Sequence, residues 1–268
     1  MITVMGVALA LYTGLIGLLY VGQRSLMYQP GSHVATPAAS GVDEMRPIQL
    51  QTPDGLTLTS WHAIPKDGKP TIVYAHGNAG TISDRGFKVR SYLDQGFGVL
   101  LVGYRGYGGN SGAPSEHGLY TDASTAVEHL RKEGISESDI VFYGESLGTG
   151  VAVELAHRAA VKGMPFKAVI LEAPFTSMGD AAQGHYPFVP AKLLVKDKFN
   201  SISKIAAIRT PLYVFHGERD RVVPQTLGRR LFAAAKEPKI GAWIEGAHHN
   251  DLYDFGVAPG IIEFLDGL

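Results

Sequence analysis

The stretch DIVFYGESLGTGVAVELAHRAA, residues 139–160, decides the fold. DIVFYG (139–144) is a short apolar run of strand character, and residues 147–160 read as a helix. Between them Gly144-Glu145-Ser146-Leu147-Gly148 fits G-x-S-x-G. That pattern places a serine on a sharp turn from strand to helix, where a side chain on either flanking glycine would collide with neighbouring backbone. Ser146 then stands exposed at the helix N-terminus, in the position of a nucleophile. A plain glycine-rich turn could match the same five letters in a chain with 33 glycines. The strand before and the helix after carry the reading.

Outward from this turn, strand-like and helix-like stretches alternate. IQLQT (48–52) and LTLTSWHAI (56–64) flank Pro53-Asp54-Gly55 and read as a hairpin. TIVYA (71–75), GVLLVGY (98–104), KAVILEA (167–173), PLYVFHG (211–217) and IGAWIE (240–245) are further apolar runs. Helical spacing falls at 82–94, 116–132, 224–236 and 250–266. Continuous apolar strands separated by helices predict a mostly parallel sheet covered on both faces, an α/β fold, with an antiparallel hairpin at its start. Ligands of such sheets lie beyond the carboxyl ends of the strands. The residues just after each run are therefore the ones to inspect.

A serine hydroxyl needs a base, and the base needs an orienting acid. In folds with this elbow the chain order is serine, acid, histidine. Asp220, in HGERDRVVP past the run 211–217, is the acid candidate, with Glu218 and Glu172 as competitors; Asp220 could instead merely cap the next helix. The base belongs in the loop after the last strand, EGAHHND (245–251), which offers both His248 and His249. Acyl transfer also creates an oxyanion that needs preorganised donors. The backbone N–H of Leu147 is one. HGNAG (76–80) supplies the other from Asn78, with Ala79 as the alternative.

The net charge is −1, so the total implies no basic face for nucleic acid. There are no cysteines, which removes disulfides, thiolate metal sites and cysteine nucleophiles. Residues 1–23 carry no charged side chain and are long enough to cross a bilayer. No Lys or Arg precedes the run and no clear A-x-A site follows, which favours a retained single-pass anchor over a cleaved signal peptide. Arg24 alone leaves the orientation open. Pro30, Gly31, Pro37, Gly41 and Pro47 mark residues 24–47 as a partly ordered linker, and 48–268 form the remaining domain.

Six segments together resemble one family: QRSLMYQP (23–30), HGNAG (76–80), YRGYGGNSGAPSE (104–116), YGESLG (143–148), FHGERDRVVP (215–224) and WIEGAHHND (243–251). The chain is similar to the α/β-hydrolases, and within them to the membrane-anchored bud-emergence-like serine hydrolases. Those include α/β-hydrolase-domain protein depalmitoylases. The family pattern G-x-G-H-N-D assigns the base to His249, and His248 stands where the family usually has glycine. The resemblance implies a Ser146–His249–Asp220 triad, no metal or organic cofactor, and a structural role for Arg105 and the glycines of 104–112. Residues 174–209 leave room for one or two short lid helices, rich in apolar residues such as Phe175, Phe188 and Leu193. An apolar rim over a serine suits the acyl group of an ester or thioester, lipid-like or small. Two readings of different class follow: an active ester or thioester hydrolase, with amidase or peptidase chemistry open to the same triad, or a catalytically silent membrane-anchored scaffold.

Overall fold

The structure is a computed structural model that describes residues 2–66 and 68–268, with the side chains of Ile2 and Thr3 left aside. Eight strands form one sheet: β1 (Arg46–Gln51), β2 (Thr57–Ala63), β3 (Thr71–Ala75), β4 (Gly98–Leu101), β5 (Ile140–Glu145), β6 (Ala168–Glu172), β7 (Leu212–Gly217) and β8 (Lys239–Ile244). Their order is β1-β2-β4-β3-β5-β6-β7-β8. Only β2 runs against its neighbours; β3 to β8 pair in parallel. The predicted hairpin and parallel sheet are both present.

Every residue of β3, β5, β6 and β7 is buried, which is why these strands read as unbroken apolar runs rather than alternating ones. Alternate side chains serve opposite faces. Val73, Phe142, Leu171 and Val214 pack beneath α3 (Glu116–Lys132), α4 (Leu147–Val161) and α7 (Gln225–Ala234). Ile72, Tyr143, Ile170 and Phe215 pack on the side of α2 (Gly86–Asp94) and α8 (Ala258–Asp266). The helix expected over 250–266 is broken. A 3-10 turn, Leu252–Phe255, ends at left-handed Gly256, and Pro259 forces the helix to restart at Ala258.

Between β6 and β7 lie two short helices, α5 (Met178–His185) and α6 (Ala191–Leu194), a small lid of the expected size. The N-terminal helix α1 (Ile2–Met27) continues past Gln23 because nothing breaks it before Pro30 and because Arg24 is held by Asp197. Its Val4–Met27 portion is the one helix among the described residues that is long and apolar enough to span a membrane. The segment after it is ordered against the domain: Gln29–Pro30 pairs with Ala79–Gly80, and Tyr28, Val42 and Met45 are buried.

Candidate active site

Ser146 sits between the end of β5 and the first turn of α4, at φ 50° and ψ −114°. That backbone conformation costs a non-glycine residue of order 1–3 kcal/mol, so surrounding structure must impose it. Its amide donates to the Glu172 carbonyl at 2.8 Å, and its carbonyl accepts from the Thr149 amide at 2.9 Å and the Thr149 hydroxyl at 2.6 Å. The flanking glycines are sterically required. A Cβ on Gly144 would lie 2.6 Å from Thr149 Cα, and one on Gly148 would run into the Ala75 carbonyl.

The two adjacent histidines separate cleanly. His249 Nε2 lies 2.9 Å from Ser146 Oγ, and its Nδ1 lies 2.6 Å from Asp220 Oδ2. Exposed His248 turns away, its Nδ1 donating to the Arg219 carbonyl at 3.0 Å. Consecutive side chains of this loop diverge, so only one imidazole reaches the serine. The acid candidates separate as well. Glu172 pairs with Lys88 at 2.7 Å and accepts from Tyr143 at 2.6 Å, while half-exposed Glu218 lies 3.7 Å from Arg229.

Asp220 is set deliberately by its own loop. Oδ1 accepts from the amides of Val222 and Val223, both at 2.8 Å. Oδ2 receives His249 and lies 3.1 Å from Nε2 of fully buried His216, which also meets the Val223 carbonyl at 2.9 Å. Burial opposes the charged carboxylate, but the bonds from His216 and His249 and from the Val223 amide more than offset it and hold its pKa well below the usual range. Asp220 therefore stays an anion against which His249 can carry positive charge. His216, one turn of chain from Asp220, was not distinguishable in the sequence from an ordinary core histidine.

The HGNAG loop closes over the other side. A Cβ on Gly77 would lie 3.5 Å from Ser146 Cβ, so the loop passes directly above the serine. Asn78 is fixed by its ends: its carbonyl accepts from the Gln29 amide at 2.9 Å and the Tyr107 hydroxyl at 2.8 Å, and its side-chain amide donates to the Met27 carbonyl at 3.0 Å. Asn78, Ser146 and Leu147 line one cavity. His76 plays no part in it. Burial, then the nearby Arg85 charge, pushes that imidazole down to about 3, leaving it a neutral ring against Tyr104 and Tyr107. The loop over 104–112 braces this arrangement, with Arg105 joined to Asp54 at 2.7 Å and to Asp122 at 2.8 Å.

Beneath the serine lies a charge cluster that the sequence did not announce. Glu145, the variable residue of the elbow, turns to the α2 side, where Tyr74 donates at 2.8 Å and Arg85 at 3.0 and 2.9 Å. Lys88 reaches Glu145 at 3.4 Å and Glu172 at 2.7 Å, and all three are buried. Burial works against the Glu145 carboxylate, yet the Lys88 and Arg85 charges outweigh it and lower its pKa. The cluster ties the ends of β5 and β6 to α2 directly under the elbow.

Among the described residues one group has metal-ligand geometry, His62, His129 and Glu133. His62 stands on β2 opposite Leu100 of β4, and His129 and Glu133 lie at the C-terminal end of α3. His129 and Glu133 are one helical turn apart, but His62 is too distant in sequence for spacing to reveal it.

The cavity above Ser146 has a volume of about 360 Å³ and is mostly apolar, with Phe175, Met178 and Leu194 among its lining. Among the described residues no Asp, Glu, Lys or Arg lines it. Residues 66–204 match the family described as serine aminopeptidase, S33. Two relatives span nearly the full length. An uncharacterised protein of Mycobacterium tuberculosis (strain ATCC 25618 / H37Rv) is 38% identical over 89% of this chain and 84% of its own. Protein bem46 of Schizosaccharomyces pombe is 30% identical over 93% and 88%. The chain belongs to the α/β-hydrolase superfamily. A crystal structure of an alpha-beta hydrolase from Vibrio vulnificus, 25% identical, superimposes with a TM-score of 0.75 over 93% of this chain and 92% of that one. The lysophosphatidylserine lipase of Danio rerio is 33% identical over 76% of this chain and 62% of its own length.

Proposed function

We propose that this α/β-hydrolase is a serine hydrolase that cleaves carboxylic esters or thioesters through an acyl-enzyme. The observation that carries the reading is the continuous hydrogen-bonded line Ser146 Oγ–His249–Asp220, at 2.9 and 2.6 Å. Ser146 Oγ attacks the acyl carbon while its proton passes to His249 Nε2. Asp220 steadies the imidazolium, and the N–H groups of Leu147 and Asn78 receive the oxyanion. The tetrahedral intermediate collapses, the leaving alcohol or thiol takes the proton from His249, and Ser146 remains acylated. His249 then deprotonates water, which attacks the acyl carbon; the acid departs and the proton returns to Ser146.

The ester reading is favoured over an aminopeptidase one by the cavity itself. An aminopeptidase must hold a substrate ammonium, and a buried charge without a counter-charge is strongly unfavourable. Among the described residues no carboxylate lines this cavity. The lipase among the relatives supports an acyl substrate in the same direction. Purified protein is expected to hydrolyse p-nitrophenyl esters. Asp220→Asn should lower kcat by about 10²–10⁴, because neutral Asn leaves His249 in the wrong tautomer and its cation unsupported. Unchanged kcat in that variant would remove Asp220 from the mechanism.

The same proposal takes residues 1–23 as a retained anchor, 24–47 as the connection and 48–268 as the catalytic domain. A disposable leader has no reason to be bonded into the mature fold. Here Tyr12 donates to the Phe188 carbonyl at 2.9 Å, and the Gln23 side-chain oxygen accepts from the Lys196 amide at 2.7 Å. Alkaline carbonate extraction should leave the full-length chain in the membrane pellet. A soluble product that begins beyond residue 23 would identify a cleaved leader instead.

A further inference from the structure

The cavity over Ser146 continues along α1. Ile16, Leu19 and Met27 line it from α1, and Met178, Ala181 and Leu194 line it from the lid. Tyr12, Ile16, Leu19, Gln23 and Met27 recur at three- and four-residue steps, so they make one face of the helix, turned to the lid. The other face carries Leu11, Leu18 and Val21, between 70% and 78% exposed. A helix that bares such side chains along its length belongs in hydrocarbon.

The seam also has a defined depth. Asn78 is bonded to Met27, so the serine lies at the last turn of α1. From Met27 to Ile16 the helix rises roughly 16 Å away from that point, the reach of a medium-length acyl chain. At the serine end Arg24 is paired to Asp197, and Lys196 Nζ lies 4.3 Å from the centre of the Tyr20 ring. Cations and aromatic rings gather at the headgroup level of a bilayer. Phe188 and Leu193 of the lid stand 57% and 81% exposed, and Phe188 lies beside Tyr12, farther along α1 from the serine. The reacting centre therefore meets the membrane surface while the cavity leads inward beside α1. Its volume of about 360 Å³ is near the lower limit for a ligand pocket and suits one chain.

We propose that α1 and the lid together build the acyl-chain subsite, and that a single-chain ester or thioester amphiphile enters it sideways from the bilayer. This rests on the serine-hydrolase reading of Ser146. On this account the anchor is a wall of the substrate site as well as a tether.

The test uses full-length protein in phosphatidylcholine nanodiscs and a fatty acid with a diazirine at its methyl end. In Ser146→Ala protein, which needs no turnover, crosslinks should map to residues 16–27 and 178–195. Leu19→Trp, which fills the seam, should reduce them at least about fivefold, and Leu18→Trp, on the lipid-facing side, should leave them unchanged. With native Ser146, Leu19→Trp should lower the ratio of kcat/KM for dodecanoate over acetate esters at least about tenfold. Crosslinks confined to the outer face of α1, or an unaltered ratio, would overturn the proposal. Seam crosslinks in a protein that turns over no ester would overturn the hydrolase reading alone.

Discussion

His249→Ala is expected to lower kcat on a p-nitrophenyl ester by at least about 10³, whereas His248→Ala should stay within roughly twofold of the native rate. The two residues are neighbours of identical chemistry, so the comparison isolates geometry. His249 bridges Ser146 and Asp220, while His248 is bonded to the Arg219 carbonyl and faces solvent. Without His249 the serine has no group to take its proton, and the oxyanion donors alone must carry the reaction. Steady-state kinetics on the two purified variants decide it. Loss of turnover in His248→Ala with retention in His249→Ala would mean that the loop is displaced by one residue.

The second large effect is on stability. Lys88→Met should destabilise the fold by about 3–5 kcal/mol, because it strips a buried cation from two buried carboxylates. Glu172 would keep the Tyr143 hydroxyl but no counter-charge, and Glu145 would keep Arg85 and the Tyr74 hydroxyl. The double variant Lys88→Met, Glu172→Gln should recover a large part of that loss, since removing both members of a buried pair costs far less than removing one. Urea denaturation of the two variants measures this. A single variant less than about 1 kcal/mol below the native protein would show that water or local rearrangement already screens the cluster.

The elements that were legible in the sequence share one property: their signal is local. β5, the elbow and α4 follow from a single run of residues, and the burial of whole strands wrote itself as unbroken apolar stretches. The hairpin around Asp54-Gly55 and helix α3 fall within a residue or two of their expected bounds. The break in the last helix was local too, but Gly256 and Pro259 were outweighed by the apolar spacing around them. What could not be read is what depends on distant partners. Nothing in residues 16–27 announces a cavity wall, because a membrane span and a lid contact demand the same apolar side chains. Arg24 finds Asp197 only in three dimensions. Tyr107 under Asn78, His216 behind Asp220, and the cluster of Glu145, Arg85, Lys88 and Glu172 are long-range pairings whose members look like ordinary core or surface residues when taken singly.

On the proposed mechanism Ser146 is a nucleophile primed by His249. Reaction of the folded, full-length protein with a fluorophosphonate, followed by peptide mapping, tests it most directly, because the reagent phosphonylates an activated serine without requiring any knowledge of the natural substrate. A single adduct on Ser146 is expected, with no adduct in Ser146→Ala and strongly slowed labelling in His249→Ala. A folded native protein that takes up no label, or a label that persists in Ser146→Ala, would contradict it.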